Sequence, residues 1–195
     1  GKLVEIDIAT GYQTVLVPAT PTVTQGLTSD SYNVTHVRYS PDGTYLAYFR
    51  FGFLINGGAP NASFHDEEVY LLKRADRSKK VIFAPRDQFV RDLDFLGDSS
   101  AVVFSATLGC SVDGLYAYDI AGDSLSSTAA NNHAELDVSG NTVFAVLGEC
   151  LTHGPGVEVT TYPGPTSEIL PFTVLSYDLF PVSYTHLRAH ETRED

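Results

Sequence analysis

SPDGTYLAY, residues 40–48, sets a tight turn between two apolar runs. Val37-Arg38-Tyr39 precedes it, and Tyr45 to Phe49 follows. Asp42-Gly43 is a pair that tolerates the positive φ of a short hairpin. The stretch therefore predicts strand, turn, strand. LDFLGDSSAVVF (93–104) and LDVSGNTVFAV (136–146) have the same layout, with turns at Gly97-Asp98 and Gly140-Asn141.

A second family of segments falls between these hairpins: LVEIDIATG (3–11), VYLLKRADR (69–77), LYAYDIAGD (115–123) and, more weakly, VEVTTYPGP (157–165). Most are strand-like alternations that end in a small-residue turn. Each is followed by a short run: QTVLVP, KKVIFAP, a poor one at SLSSTA, and SEILPF. Tyr70, Tyr116 and Glu158 take matching places. A period of roughly 40–50 residues with four strands per unit is the pattern of propeller blades. Full units are expected at about 34–86, 90–128 and 133–171, with half a unit at 3–18 and the start of another at TVLSYDLF (173–180). The fold expected is all-β, a partial β-propeller of about three full four-stranded blades with half blades at each end. The one helix candidate, 126–136, is short and interrupted by Asn131 and Asn132. Residues 19–33 and 51–67 read as long surface insertions.

Composition narrows the partners. The chain has 195 residues, 43% hydrophobic, with 11 Tyr and 11 Phe, enough for a packed core. The formal net charge of −12 argues against nucleic acid and anionic membrane surfaces, which reward Lys and Arg. No run approaches the roughly 18 apolar residues of a membrane span, so no membrane insertion is expected. The chain lacks Met and begins at Gly1 within a strand-like run, as expected of a mature product or a fragment.

The SPDGTYLAY turn followed by a strand such as VYLLKR resembles the TolB-like, or PD40, β-propeller repeat, a WD40-like type. The same repeat builds the propellers of the prolyl oligopeptidase and dipeptidyl peptidase IV families. The resemblance is strongest in the first full unit; GDSS and SGNT replace PDGT in the next two. It implies a non-catalytic scaffold that binds a protein, peptide or ligand, in a periplasmic or extracellular setting. It also implies an alternative, a propeller that gates substrate access to a serine peptidase domain lying outside the chain. A purely structural repeat array is the third reading.

Catalytic patterns are missing from the sequence. There is no G-x-S-x-G elbow; GDSSA (97–101) lacks the second glycine and sits in a hairpin turn. HExxH is absent, and His65-Asp66-Glu67-Glu68 reads as a solvated charge cluster at the end of a loop. Gly154-Pro155-Gly156 lacks the spacing of a phosphate-binding loop. No catalytic residue, cofactor or metal is expected. Cys110 and Cys150 fall after equivalent strands of neighbouring units, on one rim. They are a candidate disulfide in an oxidising compartment, with two unpaired thiols as the alternative. A metal site with His153 would still fall short of a closed zinc shell.

The candidate binding residues lie on the first strand of each unit: His36 and Arg38, Asp92 and Asp94, Glu135 and Asp137. They alternate with apolar residues and so share one face. In a propeller the first strand lines the central channel. These residues are expected to form a polar, mostly acidic channel wall, with Arg38 paired to a neighbouring carboxylate, or else to be satisfied locally. Asn33-Val-Thr35 and Asn61-Ala-Ser63 match glycosylation sequons.

VSYTHLRAHET (182–192) resembles the in-frame translation of a transposase-based sequencing adapter. The expected division is a truncated propeller domain at 1–181 and a non-native tail at 182–195. His186 and His190 drop out of any site with it.

Overall fold

Apolar residues at successive strand positions need cover on both sides of a sheet, and the chain supplies it by stacking sheets. The computed structural model describes residues 2–19, 23–25, 28–56, 62–84, 89–107, 113–127, 133–147, 156–162 and 166–171. Strands β1 (Leu3–Ile6) and β2 (Gln13–Val17) form a half-blade. The first blade is a five-stranded sheet in sequence order: β3 (Val23–Gln25), β4 (Thr28–Tyr39), β5 (Tyr45–Asn56), β6 (Ala62–Lys73) and β7 (Lys79–Phe83). The second blade has β8 (Phe89–Phe95), β9 (Ala101–Thr107), β10 (Asp113–Asp119) and β11 (Ser124–Ser127). The third has β12 (His133–Ser139), β13 (Thr142–Leu147), β14 (Gly156–Thr161) and β15 (Thr166–Pro171). Neighbouring strands pair antiparallel throughout, and among the described residues there is no helix. β4, β8 and β12 adjoin one another from blade to blade, forming the inner edge of the array.

Side chains alternate across each sheet and enter different seams. Leu46 and Tyr48 of β5 meet Leu16 and Val17 of the half-blade. Ala47 and Phe49, their neighbours in sequence, pack instead with Val102, Phe104 and Ala106 of β9. On β9 the alternation repeats: Ala101 and Val103 turn to Leu136, Val143 and Ala145 of the third blade. The matching places of the sequence repeat recur in space. Tyr48 stacks on Tyr70 with centroids 5.1 Å apart, and Phe104 stacks on Tyr116 at 5.4 Å. Ala145 and Glu158 form the corresponding cross-strand pair of the third blade.

The hairpin turns clip adjacent blades together. The Asp42 amide donates to Ser99 Oγ (3.1 Å), the Gly97 amide to the Gly140 carbonyl (2.6 Å), and Asn141 Nδ2 to Asp98 Oδ2 (2.7 Å). A Cβ on Gly97 would stand 2.7 Å from the Gly140 Cα, so that approach requires glycine. Within its own turn Asp42 accepts from the hydroxyl of Ser40 and from the amide and hydroxyl of Thr44. These bonds, the Ser40 hydroxyl first, hold its carboxyl at about 2.

Two readings of the sequence are corrected. Parts of the expected insertions 19–33 and 51–67 are strands, because β4, β5 and β6 run on for 12 residues each and β3 joins at the edge. The apolar run after Arg50 pairs on one side with Thr28–Asn33 and on the other with Ala62–His65. The His65–Glu68 stretch accordingly lies within β6, with Glu67 buried and Glu68 ion-paired to Arg50. The segment 173–180 and the tail 182–195 lie outside the described residues.

Phe104→Ala should cost about 3–5 kcal/mol in a denaturant melt. Gly97→Ala should cost about 1–3 kcal/mol, since backbone must move. Asp42 titrates lower in the folded chain than its ordinary value of about 3.9, so its contribution is present above that pH and is lost as pH falls through about 2. The Tm difference between the wild type and Asp42→Asn should therefore shrink as pH is lowered from 5 to 2; a constant difference would contradict the assignment.

Candidate functional site

Two of the polar positions of the inner strands, Arg38 and Asp92, come together beside a repeated irregularity. Each inner strand slips register against its partner: β4 between Thr35 and Arg38, β8 between Val90 and Asp92, β12 between His133 and Leu136. Such bulges re-aim side chains and increase local twist. His36 sits in the first with φ 51°, a left-handed conformation uncommon for a residue bearing a Cβ.

Asp92 is the centre of the cluster. Its Oδ1 lies 3.7 Å from Arg38 Nη2 and accepts from the Leu93 amide at 2.9 Å, while its Oδ2 accepts from the Leu136 amide at 3.4 Å. One carboxylate thus touches all three inner strands. The Arg38 side chain is 43% exposed and that of Asp92 17%, so their attraction is partly screened. Arg38 Nη1 also donates to the Val37 carbonyl at 3.2 Å.

His36 is half-buried. Its Nδ1 is 3.0 Å from Thr35 Oγ1 and its ring centroid 6.3 Å from that of Phe49. Burial lowers its pKa below the ordinary imidazole value; Asp92 opposes that and the Arg38 charge reinforces it. Asp94 Oδ1 accepts from the Phe95 amide (2.8 Å), and Asp137 Oδ1 from the Val138 amide (3.0 Å). Glu135 is exposed.

The contacts give the polar face a direction. Arg38 reaches toward the second blade, and Asp92 toward the third. Side chains stand perpendicular to their own sheet, so in stacked blades they cross the seam to the next inner strand. Of the six candidate residues, Arg38 and Asp92 bridge a seam, whereas Asp94 and Asp137 bond the next amide of their own strands. Cys110, Cys150, Asn61 and His153 lie outside the described residues; Asn33 is exposed on β4.

Sequence reasoning passed over a second cluster. The Arg50 guanidinium lies 4.8 Å from the Tyr32 ring and 5.1 Å from the Tyr70 ring. Its Nη2 donates to Glu68 Oε2 at 2.8 Å, and the Tyr70 hydroxyl donates to the same oxygen at 2.6 Å. Burial, then the Glu68 bond, raises the Tyr70 pKa above the ordinary phenol value. The missed signal was register: continuing the hairpin from Tyr45 opposite Lys73 brings Arg50 opposite Glu68.

A cavity of about 490 Å³ opens beside the β1–β2 turn, lined by Glu5, Asp7, Tyr12, Thr14 and Arg74 among others. Arg74 Nη2 already bonds Glu5 Oε1 there at 2.5 Å. Among the described residues no group of three or more His, Cys, Asp or Glu could hold a metal, and no helix is long and apolar enough to cross a membrane.

The chain is similar to TolB from Acinetobacter baumannii, with a TM-score of 0.55 and 12% identity, over 88% of this chain and 38% of that one. It is also similar to Porphyromonas gingivalis dipeptidyl peptidase 4, with a TM-score of 0.60 and 11% identity, over 88% of this chain and 30% of that one. The fold is a β-propeller. It is a partial one, and the chain spans well under half the length of either of these proteins. At such identity the likeness shows the fold alone. No family model matches the sequence, and no curated protein matches it.

Asp92→Ala removes the acceptor of an amide from another blade, and should cost about 1–3 kcal/mol in a denaturant melt. Asp137→Ala, whose carboxylate accepts from its own strand, should cost less. Equal costs would contradict the bridging role.

Proposed function

We propose that the chain is part of a non-catalytic, TolB-like propeller scaffold that binds an extended basic peptide or protein segment along its inner strands, in the periplasm or outside the cell. The observation that carries this is the recurrence of acidic side chains on successive inner strands. Asp94 and Asp137 occupy equivalent repeat positions, and each accepts its following amide through Oδ1. The net charge of −12 favours the same class of partner through long-range attraction. No cofactor enters this reading.

The similarity to a dipeptidyl peptidase 4 supports a second reading, in which the propeller gates substrate access to a hydrolase domain of a longer protein. A G-x-S-x-G segment following the propeller in the full gene would favour it.

Titration calorimetry with an oligolysine peptide tests the first reading. Asp94→Asn with Asp137→Asn keeps an acceptor for each backbone amide and removes both charges. Affinity should fall by about tenfold or more, with a shallower salt dependence. Unchanged affinity, or no binding by the wild type, would contradict it.

A further inference from the structure

In each blade one cross-strand row faces the blade that follows. In the first it runs Arg38–Ala47–Leu71–Lys80, and in the second Asp94–Val103–Ala117–Ser126. The middle of both rows is closed over: Ala47, Leu71, Val103 and Ala117 are at most 7% exposed. The third row is Asp137–Phe144–Val159–Glu168. Its middle is open, with Phe144 36% exposed and Val159 half-buried. Val146 and Val157, cross-strand partners on the same face, are half-buried too. A ring and three valines side by side form an apolar patch that gains from being covered.

The inner strand of the next blade helps to close the earlier rows. On β8, Val90, Leu93 and Phe95 are all buried in the cluster that holds Ala47 and Leu71. Their spacing is three residues and then two, because the register slip between Val90 and Asp92 interrupts the alternation. On β12, Leu136 and Val138 take the second and third of these places and pack with Val103 and Ala117. Past β15, outside the described residues, the chain continues Thr173-Val-Leu-Ser-Tyr-Asp-Leu-Phe180. Val174, Tyr177 and Leu179 repeat the three-then-two spacing, and Asp178 falls where Asp94 and Asp137 stand. A plain strand would space such residues by two throughout. The polar contacts agree. Asp92, just before Leu93, accepts the Leu136 amide of the following blade. Glu135, just before Leu136, holds that place on β12 and is exposed.

We propose that residues 174–179 seat on the third blade as a bulged inner strand, with Tyr177 and Leu179 over Phe144 and Val159 and with Asp178 in line with Asp94 and Asp137. The Tyr177 amide then meets the Glu135 carboxylate. The sequence period alone marks where a new unit starts; the register and the slip decide which of its side chains enter the seam. Asp178 thereby extends the acidic strip, a consequence that rests on the binding role proposed above, whereas the seating does not.

Photocrosslinking in the full chain tests the seating. Benzoylphenylalanine replacing Tyr177 should link, within one chain, to peptides of β13 and β14. The same probe replacing Asp178, on the other side of the strand, should not. No link from 177 to those strands, equal linking from 178, or links only between chains would overturn the proposal. Should the chain not fold with the probe at 177, Val174 carries it, with the same expected and contradicting results. Asp178→Asn should also weaken oligolysine binding about threefold, as the loss of one charge from the strip. Unchanged affinity in a chain whose wild type binds overturns the place given to Asp178. A wild type that does not bind defeats the binding role, and the crosslinks still decide the seating.

Discussion

Burial of both faces of the first and second blades is the constraint on which this structure depends. Leu46, Ala47, Tyr48 and Phe49 follow one another in β5, and none is more than 1% exposed. Alternation sends two of them to one neighbour and two to the other. A side chain of this kind gains about 1.5–3 kcal/mol on full burial, so a blade without neighbours would forfeit that gain on both sides. Stability is therefore shared between adjacent sheets, as in other repeat arrays.

The polar contacts act on a different scale. The turn clips at Asp42–Ser99, Gly97–Gly140 and Asp98–Asn141, and the three-way bridge of Asp92, are each worth little beside the apolar slabs. They occur where the blades are closest, and they fix the height of one sheet against the next. A blade shifted along its neighbour by one residue would bring Asp92 opposite the wrong amide. Asp92 bridges the inner strands, and Asp94 and Asp137 beside it carry the surface proposed to bind a basic segment.

Much of this was legible because it is local or repeated. Asp42-Gly43 announces its turn without reference to the rest of the chain, and Gly43 takes φ 71° there. The equivalence of Tyr70 and Tyr116 followed from the period and reappears as equivalent ring stacks. Thr28 to Asn33 was hidden, since Thr-Ser-Asp-Ser-Tyr-Asn has no apolar alternation; its strand pairing comes from the Phe51–Asn56 run opposite. Glu67 and Glu68 read as solvated because sequence does not show that Arg50 arrives across the hairpin. Alternation pointed to the inner polar residues, but the register shifts beside them and what lies opposite are properties of the stack. The direction of Asp92 into the next seam became visible only with the third blade in place.

The central claim is that the first and second blades are covered on both sides, and adjacent residues of one strand test it most directly. Val102 and Val103 of β9 are both fully buried, one facing the first blade and the other the third. Cysteine can replace either valine with little change in volume, and its alkylation rate under native conditions can be followed by mass, peptide by peptide. Both Val102→Cys and Val103→Cys should be strongly protected, and both should react together when the chain unfolds. Fast reaction at one position with protection at its neighbour would mean a sheet with one face in water, which contradicts the stacked-blade account.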